Sequence, residues 1–247
     1  MRKLLKLVQI EGKIALRGID LLFFGVIMPV CIALLIGMIC GNQPAFEGAT
    51  HSYIEENLPA IMTVGICATA FMGIPLGIAD YRDKKILKHY FVTPVSPTMI
   101  LATHVIINLI TATISSLLVI ISMKFFFRYD MVGNVTMFTL SFILVTGSMY
   151  GIGMLIASVC RNVKDTNLAC TIVYFPMLFL SGATIPFSIL PEGLQTVASI
   201  LPLTQGVKLL KGYALGVPDT NVVVSLLIMI MTIVVTVPLS IKLFKWE

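Results

Sequence analysis

Few side chains in this sequence can carry chemistry, and most stand apart from one another. His51, His89 and His104 are widely separated. With no H-E-x-x-H pair and no cysteine cluster, the spacing of a metal centre is missing. Cys31, Cys40, Cys67, Cys160 and Cys170 lie in or beside apolar stretches. Odd in number and without a C-x-x-C pair, they read as small hydrophobes rather than disulfide or ligand sulfurs. No G-x-x-x-x-G-K-[ST] occurs, so the chain has no loop to cradle nucleotide phosphates, and any ATP chemistry belongs to a partner. Two constellations remain. His104, Asn108, Thr111 and Ser115 follow i, i+4, i+7 and i+11, which places a polar stripe on one face of a helix. Segment 80–96 is charged and amphipathic, with Ile86, Leu87, Tyr90 and Phe91 on one side, and it ends at Thr93 and Pro94. Apolar and aromatic anchors rimmed by charge suit a groove on a partner. The plainer reading is a solvated loop held at a lipid surface.

The elements that must position these residues follow from composition. Of 247 residues, 57% are hydrophobic and 12% charged, with mean hydropathy +0.99; a soluble domain carries roughly 25% charge. Six long uncharged runs each reach the roughly 20 residues that a helix needs to cross a bilayer. They are continuous rather than alternating, which favours helices over a barrel. The expectation is an all-α integral membrane protein, one transmembrane domain with six spans at about 21–41, 58–79, 99–123, 136–159, 167–185 and 221–241. Residues 1–20 show helical spacing of Leu4, Leu5, Val8, Ala15, Leu16 and Ile19 against Arg2, Lys6, Gln9, Lys13, Arg17 and Asp20. That pattern predicts an amphipathic helix along a membrane interface, in contact with lipid or a partner. The stretch from Leu21 to Phe46 exceeds the h-region of a signal peptide and reads as a retained first span.

Thirteen of the 17 Lys and Arg residues fall before span one, after spans two and four, and after span six, while Lys124, Arg128, Lys208 and Lys211 fall on the other side. The positive-inside rule then puts both termini in the cytoplasm and the chain in the plasma or inner membrane. The net charge of +5 orients the chain and implies no nucleic acid, because no soluble basic domain exists to hold one. Small residues Gly65, Thr69, Gly73 and Gly77 in span two, with Gly147 and Gly151 in span four, permit close helix packing inside one bundle or between subunits. The stripe from His104 to Ser115 either bonds neighbouring helices or lines a translocation path. Pro176, Pro186, Pro191 and Pro202 punctuate the last third. They predict a break near Ser181 and Gly182 and short external helices before span six, suited to an external gate.

The loop at 80–98 between spans two and three resembles the coupling helix of the membrane subunits of type-2 ATP-binding-cassette (ABC) exporters. A second similarity lies at Leu180, Ser181, Gly182 and Ala183, followed by Pro186, Leu190, Pro191, Leu201, Pro202 and Lys211, the region those permeases place after span five. One departure is Lys84 and Lys85, which stand where many relatives have Gly-Thr. The resemblance implies two six-span permease halves, a homodimer being the expectation, with two cytoplasmic ABC ATPase subunits. No cofactor is expected in this chain, with ATP and magnesium in the partner ATPase. It further implies ATPase coupling through Asp80, Arg82, Asp83, Ile86, Leu87, Tyr90, Phe91, Thr93 and Pro94, and a second contact at Arg161, Lys164 and Asp165. The external gate would involve Ser181, Gly182, Pro186 and Pro191. An uncharged pathway rich in methionine suits outward transport of a lipophilic or amphipathic compound such as a drug, antimicrobial peptide or toxin. The alternative is a membrane scaffold or immunity protein that sequesters a ligand without moving it.

Overall fold

A backbone placed in hydrocarbon must close its hydrogen bonds within each segment, and the chain does so with helices. The computed structural model describes residues 2–15, 18–40, 43–44, 51–87, 96–184, 187, 190–217 and 221–244. Helix α1 (Arg2–Ala15) is followed by α2 (Ile19–Leu22), a π turn at Phe23–Ile27 and α3 (Met28–Cys40). Next come α4 (Tyr53–Ala68), a π turn at Thr69–Gly73 and α5 (Ile74–Asp83), then α6 (Pro97–Phe127), α7 (Val135–Val159) and α8 (Val163–Leu180). Two shorter helices, α9 (Glu192–Ile200) and α10 (Pro202–Leu215), precede α11 (Val222–Leu243). Among the described residues the sole strand-like pairing is an isolated bridge between Pro44 and Ser52.

By length and composition, five stretches among the described residues can cross a membrane: Phe23–Cys40, Tyr53–Asp83, Thr98–Phe127, Val135–Val159 and Val222–Leu243. The sixth long helix, α8, overlaps the expected span at 167–185 but starts four residues earlier, so its first turn carries Lys164 and Asp165 and its mean hydropathy falls. It stops at Ser181, after which Gly182 takes φ +81°, a conformation that glycine adopts without steric cost. Pro176 sits inside α8 without ending it.

The stretch Tyr53–Asp83 is the most enclosed of the five, and it extends beyond the expected 58–79 at both ends. At its start Ser52 Oγ accepts from the Glu55 N–H at 3.3 Å while the Ser52 N–H donates to Glu55 Oε2 at 2.7 Å, a reciprocal cap that begins the helix. At its far end the charged residues Asp80–Asp83 remain helical because Arg82 is bonded across to a neighbour, as described below. In the middle, the π turn displaces the Ala70 carbonyl toward α7. There Gly153 approaches it so closely that a Cβ would overlap the Ala70 oxygen. The Thr69 and Tyr150 hydroxyls hydrogen-bond beside this contact at 2.9 Å.

The expected external helices have a shared break at Leu201–Pro202, with Pro202 opening α10, where its missing N–H costs nothing. Helix α10 is no peripheral cover. Leu203, Val207, Leu209 and Leu210 are buried, and the helix packs against α4, α7 and α11.

Gly153→Ala is expected to destabilise the protein by about 1–3 kcal/mol, because the obstructing atom is backbone and has no rotamer to change. Gly193→Ala meets nothing within 4 Å and serves as the neutral control. Thermal unfolding in detergent reads both.

Candidate functional site

One end of the bundle gathers the last turn of α5, the α7–α8 connection and the end of α11. The chain leaves helix at Lys84 and Lys85, and Lys85 adopts φ +59°. The turn thus falls after Asp83, not before Asp80: Asp80, Arg82 and Asp83 are the end of the second helix rather than part of a separate coupling helix. Arg82 is also enclosed, at 8% exposure. Its guanidinium donates to the Ala157 carbonyl and, at 2.6 Å, to the Cys160 carbonyl, and it lies 5.2 Å from the centroid of the Phe244 ring. These are carbonyls in and just after the last turn of α7, where the backbone leaves acceptors unsatisfied and the helix dipole favours a cation. The next residue does the converse. Asp83 Oδ2 accepts from the Val163 N–H at 3.3 Å, at the first turn of α8, where the dipole favours an anion. Adjacent side chains of opposite charge thus bracket one inter-helix turn.

Asn162 completes that turn, accepting from the Asp165 N–H at 2.8 Å and donating to the Asp165 carboxylate at 2.7 Å. Arg161, Lys164 and Asp165 are exposed, as are Asp83, Lys84 and Lys85. The two loops expected to contact a partner separately therefore form one charged platform. Lys84 pairs with Asp80 at 2.8 Å, an exposed contact worth little. Ile86 is half-buried and Leu87 fully buried, so Leu87 belongs to the core and is not offered to a partner. Tyr90, Phe91, Thr93 and Pro94 lie outside the described residues.

The polar stripe of α6 faces the small residues of the second helix. A Cβ at Gly77 would stand 3.1 Å from His104 Cε1, one at Gly65 would stand 3.0 Å from Ser115 Oγ, and one at Gly73 would collide with Asn108 Oδ1. Thr111 meets Gly25 in the first π turn. Each polar side chain thus occupies the space of a missing neighbouring side chain, and His104, Asn108 and Ser115 are buried while Thr111 is partly so. Asn108 Nδ2 donates to the His104 carbonyl at 2.9 Å, and Thr111 Oγ1 donates to the Ile107 carbonyl at 3.0 Å.

At the opposite end, Ser181 is buried and donates to the Leu178 carbonyl at 3.1 Å. Pro191 opens α9, and Pro186 is outside the described residues. Lys211 of α10 reaches Glu56 at 3.7 Å and Asn57 at 3.4 Å; its burial lowers its pKa, and the Glu56 carboxylate opposes that shift. Lys208 lies over the Phe187 ring at 5.0 Å. Gln205 accepts from Ser225 Oγ at 2.6 Å, joining α10 to α11.

Similarity to known proteins places the chain in a family. Residues 3–215 match the family described as ABC-2 type transporter. The chain belongs to the ABC-2 type transporter family. It is 32% identical over 110 residues to Nodulation protein J of Rhizobium leguminosarum bv. viciae, covering 44% of this chain and 42% of that protein. It is 23% identical over 150 residues to the probable multidrug ABC transporter permease YbhR of Escherichia coli, covering 61% of this chain and 40% of that protein. Over 176 residues it is 22% identical to the Escherichia coli inner membrane transport permease YhhJ, covering 68% and 47% respectively. The chain thus spans less than half the length of these relatives.

For this ABC-2 chain, two side chains gain importance that spacing alone did not single out. Arg82 was expected at a partner surface, yet it holds two helices together. Glu11 went unmarked on α1, but it is buried at 6% exposure and accepts from the Tyr81 hydroxyl. Its signal in the sequence is a lone acid among the basic residues of 1–17.

Arg82→Ala is expected to cost about 1.5–3 kcal/mol, the value of hydrogen bonds to a charged group. Arg82→Lys recovers only part of it: both bonds leave from one nitrogen, Nη1, which an ammonium can imitate, but the planar guanidinium over the Phe244 ring is lost. Maleimide labelling of Cys160, half-exposed in the native protein, should quicken in both variants, and faster in Arg82→Ala.

Proposed function

We propose that this chain is the permease half of an ATP-driven exporter, moving a lipophilic or amphipathic compound outward across the plasma or inner membrane. The observation that carries the reading is the charged platform built on the clamped ends of α5, α7 and α8. A partner that binds there pushes on a rigid assembly rather than on a floating loop. Membership of the ABC-2 family, and the permease names of two relatives, support a cytoplasmic ATPase as that partner, and ATP and magnesium would be bound there. Two such subunits would serve two copies of this chain.

In this reading α8 is the fifth of six spans, the platform and both termini are cytoplasmic, and α9 covers the outer exit while α10 packs within the bundle beneath it. The distribution of basic residues supports the orientation, since Lys84, Lys85, Arg161, Lys164 and Lys242 share one end and Lys124, Arg128, Lys208 and Lys211 the other. The substrate class rests on a bundle whose buried polar groups are mostly hydroxyls and amides, on the multidrug name of one relative and on the abundance of methionine. Residues His104, Asn108, Thr111 and Ser115 would reach the pathway only if α6 separates from the second helix, and Ser181 and Gly182 would form the hinge of the outer gate.

An ATP-binding protein should co-purify with the chain, and inside-out vesicles containing both should accumulate a lipophilic dye only with ATP. Transport by the purified chain alone in liposomes would sink the proposal. In the complex, the exposed pair Lys84→Glu and Lys85→Glu should reduce substrate-stimulated ATPase activity about tenfold, a typical inter-site coupling, without altering insertion or thermal stability. Leu87→Asp, by contrast, should lower the yield of folded protein, since it forces a carboxylate into an apolar core.

A further inference from the structure

Glu11 occupies the least comfortable position on α1. The open side of that helix holds Leu5, Lys6, Gln9, Ile10, Lys13 and Ile14, whereas the carboxylate of Glu11 is turned into the bundle. Burying a carboxylate is costly unless it is hydrogen-bonded, and Tyr81 supplies the bond. Tyr81 lies one residue before Arg82 and four before the left-handed turn at Lys85. Its ring meets His104 of α6 edge-on, with centroids 5.4 Å apart. Glu11, His104, Leu7, Ile100 and Thr103 line a narrow pocket between α1 and α6. Three elements therefore meet at one polar point: the interfacial helix, the clamped end of α5 and the foot of α6.

We propose that Glu11 is a positioning residue that fixes the register of the interfacial helix against the platform, so that α1 follows the platform and α6 as one body. This deepens the permease reading and rests on it for the role in transport. An apolar side chain at position 11 would anchor α1 at lower cost, but apolar contacts permit sliding along the helix axis. A hydroxyl–carboxylate bond is made in one register and lost in the next. That discreteness is what a mechanical linkage between a docking surface and an amphipathic helix requires. Without it, movement of the platform is spent in slippage of α1 across the membrane surface.

The test uses the full-length chain in lipid nanodiscs, with nitroxides at the exposed positions Gln9 and Lys84 and the accessible cysteines Cys31, Cys40 and Cys160 replaced by alanine. The native pair should give one narrow distance distribution. Tyr81→Phe and Glu11→Leu should each broaden it at least about twofold, and Glu11→Gln, which keeps a carbonyl acceptor for the Tyr81 hydroxyl, should restore it. Unchanged widths in Tyr81→Phe and Glu11→Leu would overturn the proposal, as would a Glu11→Gln distribution as broad as that of Glu11→Leu. In the complex with the co-purified ATPase, Tyr81→Phe should lower the dye transported per ATP hydrolysed at least about fivefold while leaving basal ATPase activity in place. An unchanged ratio would overturn the linkage. Failure of any ATPase to co-purify counts against the permease reading alone, and the distance measurements still decide on the latch.

Discussion

Close backbone approach at small residues is the constraint on which this fold depends. Lipid offers helices no hydrophobic reason to associate, so packing and hydrogen bonds must hold them. The stretch Tyr53–Asp83 supplies the packing surface. Gly65, Gly73 and Gly77 leave room for Ser115, Asn108 and His104 of α6, and the carbonyl displaced at the Thr69–Gly73 π turn receives Gly153 of α7. The polar stripe and the small-residue face are thus two halves of one contact. Side chains that would be costly against lipid lie against protein, and their volume fills what the glycines leave open.

Charge secures what packing brings together. Arg82 and Asp83 satisfy opposite helix ends on either side of the turn from α7 to α8. Each position favours the sign of charge it receives, and exchanging the two residues would leave both ends repelled. The pair explains why the second helix stays regular through a charged segment, and why the chain turns at Lys84 and Lys85 rather than earlier. It also makes a single surface of Lys84, Lys85, Arg161, Lys164 and Asp165, which are far apart in sequence.

Hydropathy made the helical class and most long helices legible, because an uncharged run of sufficient length has few alternatives in a bilayer. The break at Ser181–Gly182 and the split at Pro202 were legible for stereochemical reasons that act locally. The second helix was harder to delimit. Cutting at charged residues treats every Asp and Arg as the end of a span, whereas Arg82 is retained in the helix by carbonyls 75 and 78 positions away. Glu11 escaped notice for the same reason. Helical periodicity reports which residues share a face, but the Tyr81 hydroxyl that makes a buried carboxylate tolerable belongs to another helix. The exposure of Leu5, Ile10 and Ile14 likewise shows that α1 is apolar on more than one side, a pattern that fits a helix with lipid on one flank and protein on the other.

The two ends of the bundle are held by contacts of different enclosure. The platform end is closed by a buried guanidinium, a carboxylate on a helix terminus and the Glu11–Tyr81 contact. The Arg82 and Glu11–Tyr81 contacts are shielded from water, which strengthens them, whereas the Asp83 carboxylate is exposed. At the opposite end, uncharged hydrogen bonds such as Ser225 to Gln205 and the Gly133 N–H to the Ala214 carbonyl stand beside charge pairs on partly or fully exposed side chains: Lys124–Asp130 at 2.9 Å, Lys211–Glu56 at 3.7 Å and His51–Glu56 at 3.8 Å. Glycine at position 182 adds a backbone that can change conformation without a Cβ penalty. The charged contacts of the platform end are thus the more enclosed, and those of the far end are open to screening by water.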